Sequence, residues 1–228
     1  MTAPVTVPVI VRHGKSELAL HCVRPGEGPT ALVLHGLAEN ALGCVLTRQV
    51  VEGWPGGAVW ALDFLGHGES TRPPGGGYTA ETLMADADAA LRHIGPATVI
   101  GRGLGAYVAV LIAGARPDLV RGAVLCDGPG LNGGGSNPAS PVVVQPKTND
   151  APKGAPDPFA LAELSRDVRP PDYVANFLRQ VLALSSLDTP ITVAAIARPE
   201  WLEAIVDQPG VQEASLADAM SLYGIVNE

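Results

Sequence analysis

The chain has few cysteines and no apolar run of the length a membrane span requires. Cys22, Cys44 and Cys126 are its only cysteines among 228 residues. Three widely spaced thiols fit neither a disulfide framework nor a zinc motif, and they are typical of a reducing compartment. The longest apolar stretch, 106–115, is far too short to cross a bilayer. The first residues also lack the pattern of a signal peptide. We therefore expect a cytoplasmic protein with no metal site and no membrane segment.

Basic residues are in the minority. The chain has 15 Lys and Arg against 23 Asp and Glu, which gives a net charge of −8 and a pI near 5.1. This balance argues against nucleic acid or an anionic membrane as the main partner. Hydrophobic residues make up 46% of the chain, enough for a full core in one domain. A small-molecule ligand is the partner we expect, and a homo-oligomer stays open.

Apolar runs alternate with segments of helical pattern. Strands are predicted at 30–34, 58–62, 97–100 and 120–126, with helices at 42–51, 79–93 and 106–115 between them. This alternation predicts a mostly parallel sheet with helices on both faces. Ligand sites in such sheets lie outside the carboxyl ends of the strands. The residues predicted at those ends are His35, Asp63, Arg102, Gly103, Asp127 and Ala197.

The second half of the chain begins with a change of composition. Residues 127–158 are rich in Gly, Pro, Asn and Ser and predict a long loop. Helices are predicted at 158–168 and 171–186, and their apolar residues would cover a pocket. A strand at 191–196, a helix from 199, a short strand at 211–216 and a helix at 217–223 complete the chain.

The most informative motif surrounds Gly103. Residues 101–105 read Gly-Arg-Gly-Leu-Gly, directly after a predicted strand and before a predicted helix. That is the strand–turn–helix context of the G-x-S-x-G nucleophile elbow. Glycine occupies the position of the serine, and glycine has no side chain that could attack a substrate. The sequence therefore predicts the frame of an esterase-like site without its nucleophilic atom.

Three motifs in order resemble the α/β-hydrolase superfamily, in its small form with a helical cap. Residues 34–40 look like the oxyanion loop, 63–70 like the D-x-x-G-H-G-x-S turn, and 101–105 like the elbow. The resemblance implies an α/β-hydrolase fold, with a mostly parallel central sheet flanked by helices. It divides the chain into 1–131 as the N-terminal part of the core, 132–189 as a loop and cap, and 190–228 as the C-terminal part.

The departures from the family pattern concern the catalytic triad. The family's acid usually follows the seventh strand, where 195–199 contains no carboxylate and Glu200 comes only afterwards. The family's histidine follows the last strand, yet none lies in the C-terminal half. The chain's histidines are His13, His21, His35, His67 and His93. A triad works as a unit in which an acid orients the base that activates the nucleophile. We therefore expect no Ser-His-Asp hydrolysis.

Several residues could still bind a ligand. The resemblance assigns the amides of Leu37 and Leu104 to the oxyanion hole, and the Leu104 amide opens a helix, which favours anions and carbonyl oxygens. Arg102 could clamp an acidic ligand or form an ion pair with a nearby carboxylate such as Asp127. Asp127 is the candidate acid, or a turn residue that binds the backbone of 128–130. His35 could line the site or hold its loop.

These observations leave three functional hypotheses. The first is a protein of this fold without a functional triad, which binds a small, partly apolar ligand bearing a carboxylate or carbonyl and needs no cofactor. The second is an enzyme that uses acid–base or oxyanion chemistry in the same pocket, as a lyase, cyclase or isomerase would. The third is a scaffold subunit. The volume and lining of the space above Gly103 discriminate among them.

Overall fold

A computed structural model describes residues 7–137 and 154–225. Eight strands form one sheet in the order β1-β2-β4-β3-β5-β6-β7-β8. The strands are β1 (Val9–His13), β2 (Ser16–Arg24), β3 (Thr30–Leu34), β4 (Val59–Leu62), β5 (Ala97–Arg102), β6 (Val120–Cys126), β7 (Ile191–Val193) and β8 (Val211–Glu213). The helices are α1 (Val45–Gly53), α2 (Ala80–Ile94), α3 (Leu104–Ala115), α4 (Pro158–Leu164), α5 (Pro171–Leu184), α6 (Glu200–Val206) and α7 (Leu216–Tyr223).

The predicted parallel sheet is confirmed. β1 and β2 form an antiparallel hairpin that joins the sheet through an antiparallel contact with β4, and all other neighbouring strands are parallel. Leu34 pairs with Leu62 on one side and with Gly101 on the other, while Arg102 pairs with Cys126. The central strands therefore end at one edge of the sheet, and the loops that follow them meet there.

The helices are placed by apolar faces and caps. α2 begins after Thr79, whose hydroxyl accepts a hydrogen bond from the Thr82 amide at 3.2 Å, as the sequence predicts for an N-cap. α3 is buried on almost every side and runs beneath the site. α5, which the sequence analysis assigned to the cap, packs with its buried residues Val174 and Leu178 toward α3 and α6. It therefore flanks the core.

Some predicted boundaries differ from the structure. α1 begins at Val45, three residues later than predicted, and α4 ends at Leu164, four residues earlier. β7 ends at Val193, three residues earlier than predicted. The Ala194 amide still donates to the Leu125 carbonyl of β6 at 2.8 Å, but the amides of Ile196 and Ala197 donate to the Asp127 carboxylate. Residues 138–153 of the loop predicted at 127–158 lie outside the described residues. No helix within 7–137 or 154–225 is long and apolar enough to cross a membrane.

Candidate functional site

The turn at Gly103 has the geometry of an elbow. Gly103 lies between β5 and α3 with φ 58° and ψ −116°, and its amide donates to the carbonyl of Cys126 at 3.0 Å. A positive φ is readily adopted by glycine, since glycine has no Cβ to clash. A Cβ built on Gly103 would lie 2.1 Å from the Pro129 oxygen and 2.6 Å from the Gly128 carbonyl carbon. The backbone of the loop after β6 therefore lies directly over the nucleophile position.

The two amides predicted for the oxyanion hole converge on one oxygen. The Leu37 amide donates to the carbonyl oxygen of Pro129 at 3.0 Å, and the Leu104 amide donates to the same oxygen at 2.9 Å. Both distances are those of good N–H···O hydrogen bonds. The hole is thus formed, and a carbonyl of the protein's own chain occupies it. Binding of a ligand to these amides stays a prediction, and it requires Pro129 to withdraw.

Glycines on both sides of Pro129 allow this close approach. A Cβ on Gly128 would lie 2.4 Å from Cγ of Arg102, and a Cβ on Gly130 would lie 2.7 Å from Cβ of Leu37. Gly130 also has φ +77°. A larger residue at either position would hold the loop away from the elbow. The Gly-Pro-Gly sequence at 128–130 is the local signal for this arrangement.

Arg102 is held by a residue other than the one predicted. Its Nε donates to Oε1 of Glu39 at 3.1 Å, and its Nη1 donates to the backbone carbonyl of Asp127 at 2.8 Å. Arg102 therefore forms the predicted ion pair with a nearby carboxylate, and the partner is Glu39 instead of Asp127. Glu39 also accepts the Gly36 amide at 2.9 Å, so it fixes the loop after β3 as well as the guanidinium. Arg102 is thereby joined to the oxyanion loop.

The Asp127 carboxylate faces the loop after β7. Ile196 donates its amide to Oδ2 at 2.6 Å, and Ala197 donates its amide to Oδ1 at 3.0 Å. We predicted that a structural Asp127 would bind the backbone of 128–130, and that prediction is wrong because the acceptor points across to a different strand end. Each carboxylate oxygen already accepts one amide, and in this position the group joins β6 to the loop after β7.

His35 and His67, which lie in the loops after β3 and β4, are held in their neutral forms. His35 bonds the Gly36 carbonyl through Nδ1 at 2.8 Å and accepts the Phe64 amide at Nε2, 3.2 Å away. Burial lowers the pKa of His35 and brings that of His67 to about 3. Because both ring nitrogens of His35 are engaged by backbone groups, it holds its loop. Neither ring is arranged as the base of a triad.

The family carries its catalytic acid and base after the last two strands. In this chain, the residues at those strand ends make other contacts. Beyond β7, Arg198 forms an ion pair with Glu213 at the end of β8. Glu200 accepts a hydrogen bond from the Ser136 hydroxyl. Ser215 accepts the Asp218 amide at 3.1 Å and caps α7, near the position expected for the family's histidine. In the described part of the chain, these contacts tie the loops together without supplying a base.

An open cleft lies beside the plugged elbow. It has a volume of about 520 Å³, and its walls include Leu37, Asp127, Leu131, Gly133, Ser165 and Ala197. Of the predicted ligand-binding residues, the structure therefore brings Leu37 and Asp127 to the cleft. His35 and Gly103 are buried away from solvent. We call this space the cleft below.

Thiol and metal chemistry find no support at this edge of the sheet. Burial raises the pKa of the Cys126 thiol to about 12, which keeps it protonated and a poor nucleophile. Over 7–137 and 154–225, no group of three or more His, Cys, Asp or Glu side chains is arranged to hold a metal ion.

Three residues that determine how the site is filled and held were not predicted from the sequence. Pro129 fills the oxyanion hole, Glu39 holds Arg102, and Arg169 lies buried next to the loop that forms one wall of the cleft. Only Pro129 had a local signal, its flanking glycines. Glu39 and Arg169 reach their partners through tertiary contacts that no spacing in the sequence reveals.

Comparison with known proteins agrees with this architecture. The model of a family described as the alpha/beta hydrolase family matches residues 31–221. A structure of a hypothetical protein from Pseudomonas aeruginosa superposes with a TM-score of 0.68 at 18% identity, over 96% of this chain and 98% of that one. At that identity the likeness shows the fold alone.

Curated relatives match a smaller part of the chain. A 2-(acetamidomethylene)succinate hydrolase of Mesorhizobium japonicum is 32% identical over 48% of this chain and 39% of its own length. An esterase of Mycobacterium tuberculosis is 33% identical over 45% of this chain and 34% of its own length. The chain therefore spans well under half the length of these relatives, which carry hydrolase and esterase names.

Proposed function

The chain belongs to the alpha/beta hydrolase family, and from that premise we propose that it hydrolyses no esters and binds a small, partly apolar acid in the cleft. The observation that carries the proposal is the Pro129 carbonyl, which accepts both oxyanion-hole amides. A substrate carbonyl is activated for attack when its oxygen sits between such donors. Because the Pro129 carbonyl occupies the oxyanion hole and position 103 is a glycine, the elbow offers neither a nucleophile nor a binding place for the substrate oxygen.

The cleft supports the binding half of the proposal. Its volume of about 520 Å³ lies in the range of small-molecule sites. Its lining combines the apolar residues Leu37 and Leu131 with the polar residues Asp127 and Ser165. The name of the M. japonicum relative gives it a substituted succinate as substrate. We extend that ligand class, a small organic acid, to this chain as part of the proposal.

The alternatives are less well supported. Acid–base catalysis in the cleft needs two titratable groups within reach of a ligand. Asp127 lines the cleft, but both of its oxygens accept amides, and His35 is engaged by backbone groups. A scaffold role and a homo-oligomer stay predictions that size-exclusion chromatography with light scattering can check. A cytoplasmic location likewise stays a prediction.

Hydrolysis is tested with nitrophenyl acetate and nitrophenyl butyrate, and with a fluorophosphonate probe. We expect no turnover above the buffer rate and no labelling, because the elbow offers no nucleophile. A serine esterase serves as the positive control. Turnover by the wild-type protein that disappears in Asp127→Asn or Arg102→Met would overturn the proposal.

A further inference from the structure

Arg169 is a fully buried arginine beside the cleft. It lies between α4 and α5 with 1% of its surface exposed. Its guanidinium carbon sits 4.5 Å from the centre of the Tyr107 ring, so the cation stacks on an aromatic face. Its Nη1 donates to the carbonyl of Leu131, and its own amide donates to the carbonyl of Gly135 at 2.8 Å. These contacts fix the orientation of the guanidinium.

One edge of that guanidinium has no partner. Nε and Nη2 are buried, and neither has a hydrogen-bond partner within the described structure. These two nitrogens lie on the same edge of the planar group, where their N–H bonds point in parallel. That edge matches the two oxygens of a carboxylate. Unlike most buried polar groups, this pair of donors is left unsatisfied.

No carboxylate of the described chain neutralises Arg169. Asp167 attracts it electrostatically, but no carboxylate oxygen lies within 4.0 Å in the described ranges, and Asp167 accepts the Ala80 amide at 3.0 Å instead. Burial lowers the pKa of Arg169 to about 10, which still leaves it charged at neutral pH. A buried charge without a counter-ion is costly. An anion delivered to the free edge would remove that cost.

A glycine separates the free edge from the cleft. Gly133 lines the cleft, and a Cβ built on it would lie 2.6 Å from Nε and 2.9 Å from Cζ of Arg169. The same Cβ would lie 2.6 Å from the carbonyl oxygen of Asp167, so Nε lies behind the Gly133 backbone and beside that carbonyl. The next two residues are also glycines, and two backbone hydrogen bonds hold them: the Gly134 amide donates to the Asp167 carbonyl at 2.8 Å, and the Gly135 carbonyl accepts the Arg169 amide at 2.8 Å. A shift of this wall has to break or lengthen these bonds.

We propose that the free Nε–Nη2 edge of Arg169 is the docking point for the carboxylate of a ligand whose apolar part occupies the cleft. This inference rests on the proposed binding function and names the residue that selects an acid. The wall at 131–135 shifts to let the carboxylate reach the guanidinium, while the Tyr107 ring holds the cation in place.

The test compares an acid with its uncharged isostere. Binding of 4-phenylbutyrate and 4-phenylbutyramide is measured by calorimetry on the wild-type chain and on Arg169→Met. We expect the acid to bind at least about tenfold more tightly than the amide, because hydrogen bonds between two charged groups are stronger than those to a neutral amide. Arg169→Met should remove that preference. Arg179→Met is the matched control, since Arg179 is exposed on α5 and should leave both affinities unchanged.

A second pair of variants blocks the path without removing the arginine. Gly133→Ala places a methyl group against Nε, whereas Gly135→Ala, also at a positive φ of +86°, meets nothing within 4 Å. The first should abolish the preference for the acid and the second should keep it. If Arg169→Met fails to fold, NMR of the wild-type chain labelled with ¹⁵N-arginine replaces it. One Nε–H signal should then move on addition of the acid and stay in place with the amide.

The outcomes separate the two proposals. Equal saturable binding of acid and amide by the wild-type chain, or a preference that survives Arg169→Met or Gly133→Ala, would overturn the role of Arg169 and leave small-molecule binding intact. An unmoved set of Nε–H signals during saturable binding of the acid would do the same. If neither compound binds saturably at millimolar concentration, both proposals fail.

Discussion

Placing a serine at position 103 should destabilise the protein instead of activating it. In Gly103→Ser, the new Cβ would lie 2.1 Å from the Pro129 oxygen, far inside van der Waals contact. The loop must then retreat and give up two hydrogen bonds, from Leu37 and Leu104, which contribute about 1 kcal/mol each. A side chain at a positive φ adds strain of about 1–3 kcal/mol. We expect a loss of about 3–5 kcal/mol in the free energy of unfolding.

Urea denaturation and thermal melting measure that loss. For a chain of 228 residues, the Tm should fall by about 10 °C, at about 2–4 °C per kcal/mol. Gly14→Ser is the matched control, because Gly14 has the same φ of +58° and a Cβ there meets nothing within 4 Å. Gly103→Ala separates the effect of the Cβ from that of the hydroxyl. A cost no larger than that of Gly14→Ser, or rapid fluorophosphonate labelling of Gly103→Ser, would refute the reasoning.

Two further perturbations follow from the same contacts. Asp127→Asn keeps one oxygen for the two amides of Ile196 and Ala197, so urea denaturation should show a loss of about 1–2 kcal/mol; an unchanged midpoint would contradict the assigned role. His67 has a pKa of about 3 in the folded chain, below its usual value of 6.5, so the unfolded chain takes up its proton first as the pH falls. Stability should therefore decline from pH 6.5 toward pH 3, and His67→Gln should flatten part of that decline in urea denaturation at several pH values. An identical slope in the variant would show that other groups cause it.

The strands of the core are predictable because their burial is local and continuous. β3 matches its predicted range, 30–34, and β6 matches 120–126. β3 is a nearly continuous apolar run, and β6 is buried at every residue except Arg121, as expected of central strands covered on both faces. The end of β7 was predicted three residues too late because Ala194, Ala195 and Ile196 continue the apolar pattern. In the structure Ile196 is 87% exposed, and its amide is drawn to a carboxylate 69 positions away.

The frame of the site was predictable, whereas its state was not. Gly103 reaches the elbow position because a strand, a turn and a helix follow one another in the sequence. The occupant of the oxyanion hole depends on backbone hydrogen bonds from Leu37 and Leu104 to Pro129. Because nearly every residue has a backbone amide, the sequence does not reveal which amides bind this carbonyl. The Arg102–Glu39 pair spans 63 positions, with several other carboxylates equally plausible from sequence alone.

The Pro129 carbonyl turns ligand binding at the oxyanion hole into an intramolecular competition. A carbonyl tethered by a short loop presents itself at an effective concentration on the order of millimolar or higher. An external carbonyl can bind only the fraction of molecules from which the loop has withdrawn, and its apparent dissociation constant rises by the inverse of that fraction. Any ester or amide that binds the two amides of Leu37 and Leu104 must therefore first displace this tethered carbonyl. The fold keeps a competent hydrogen-bonding geometry and saturates it with its own backbone.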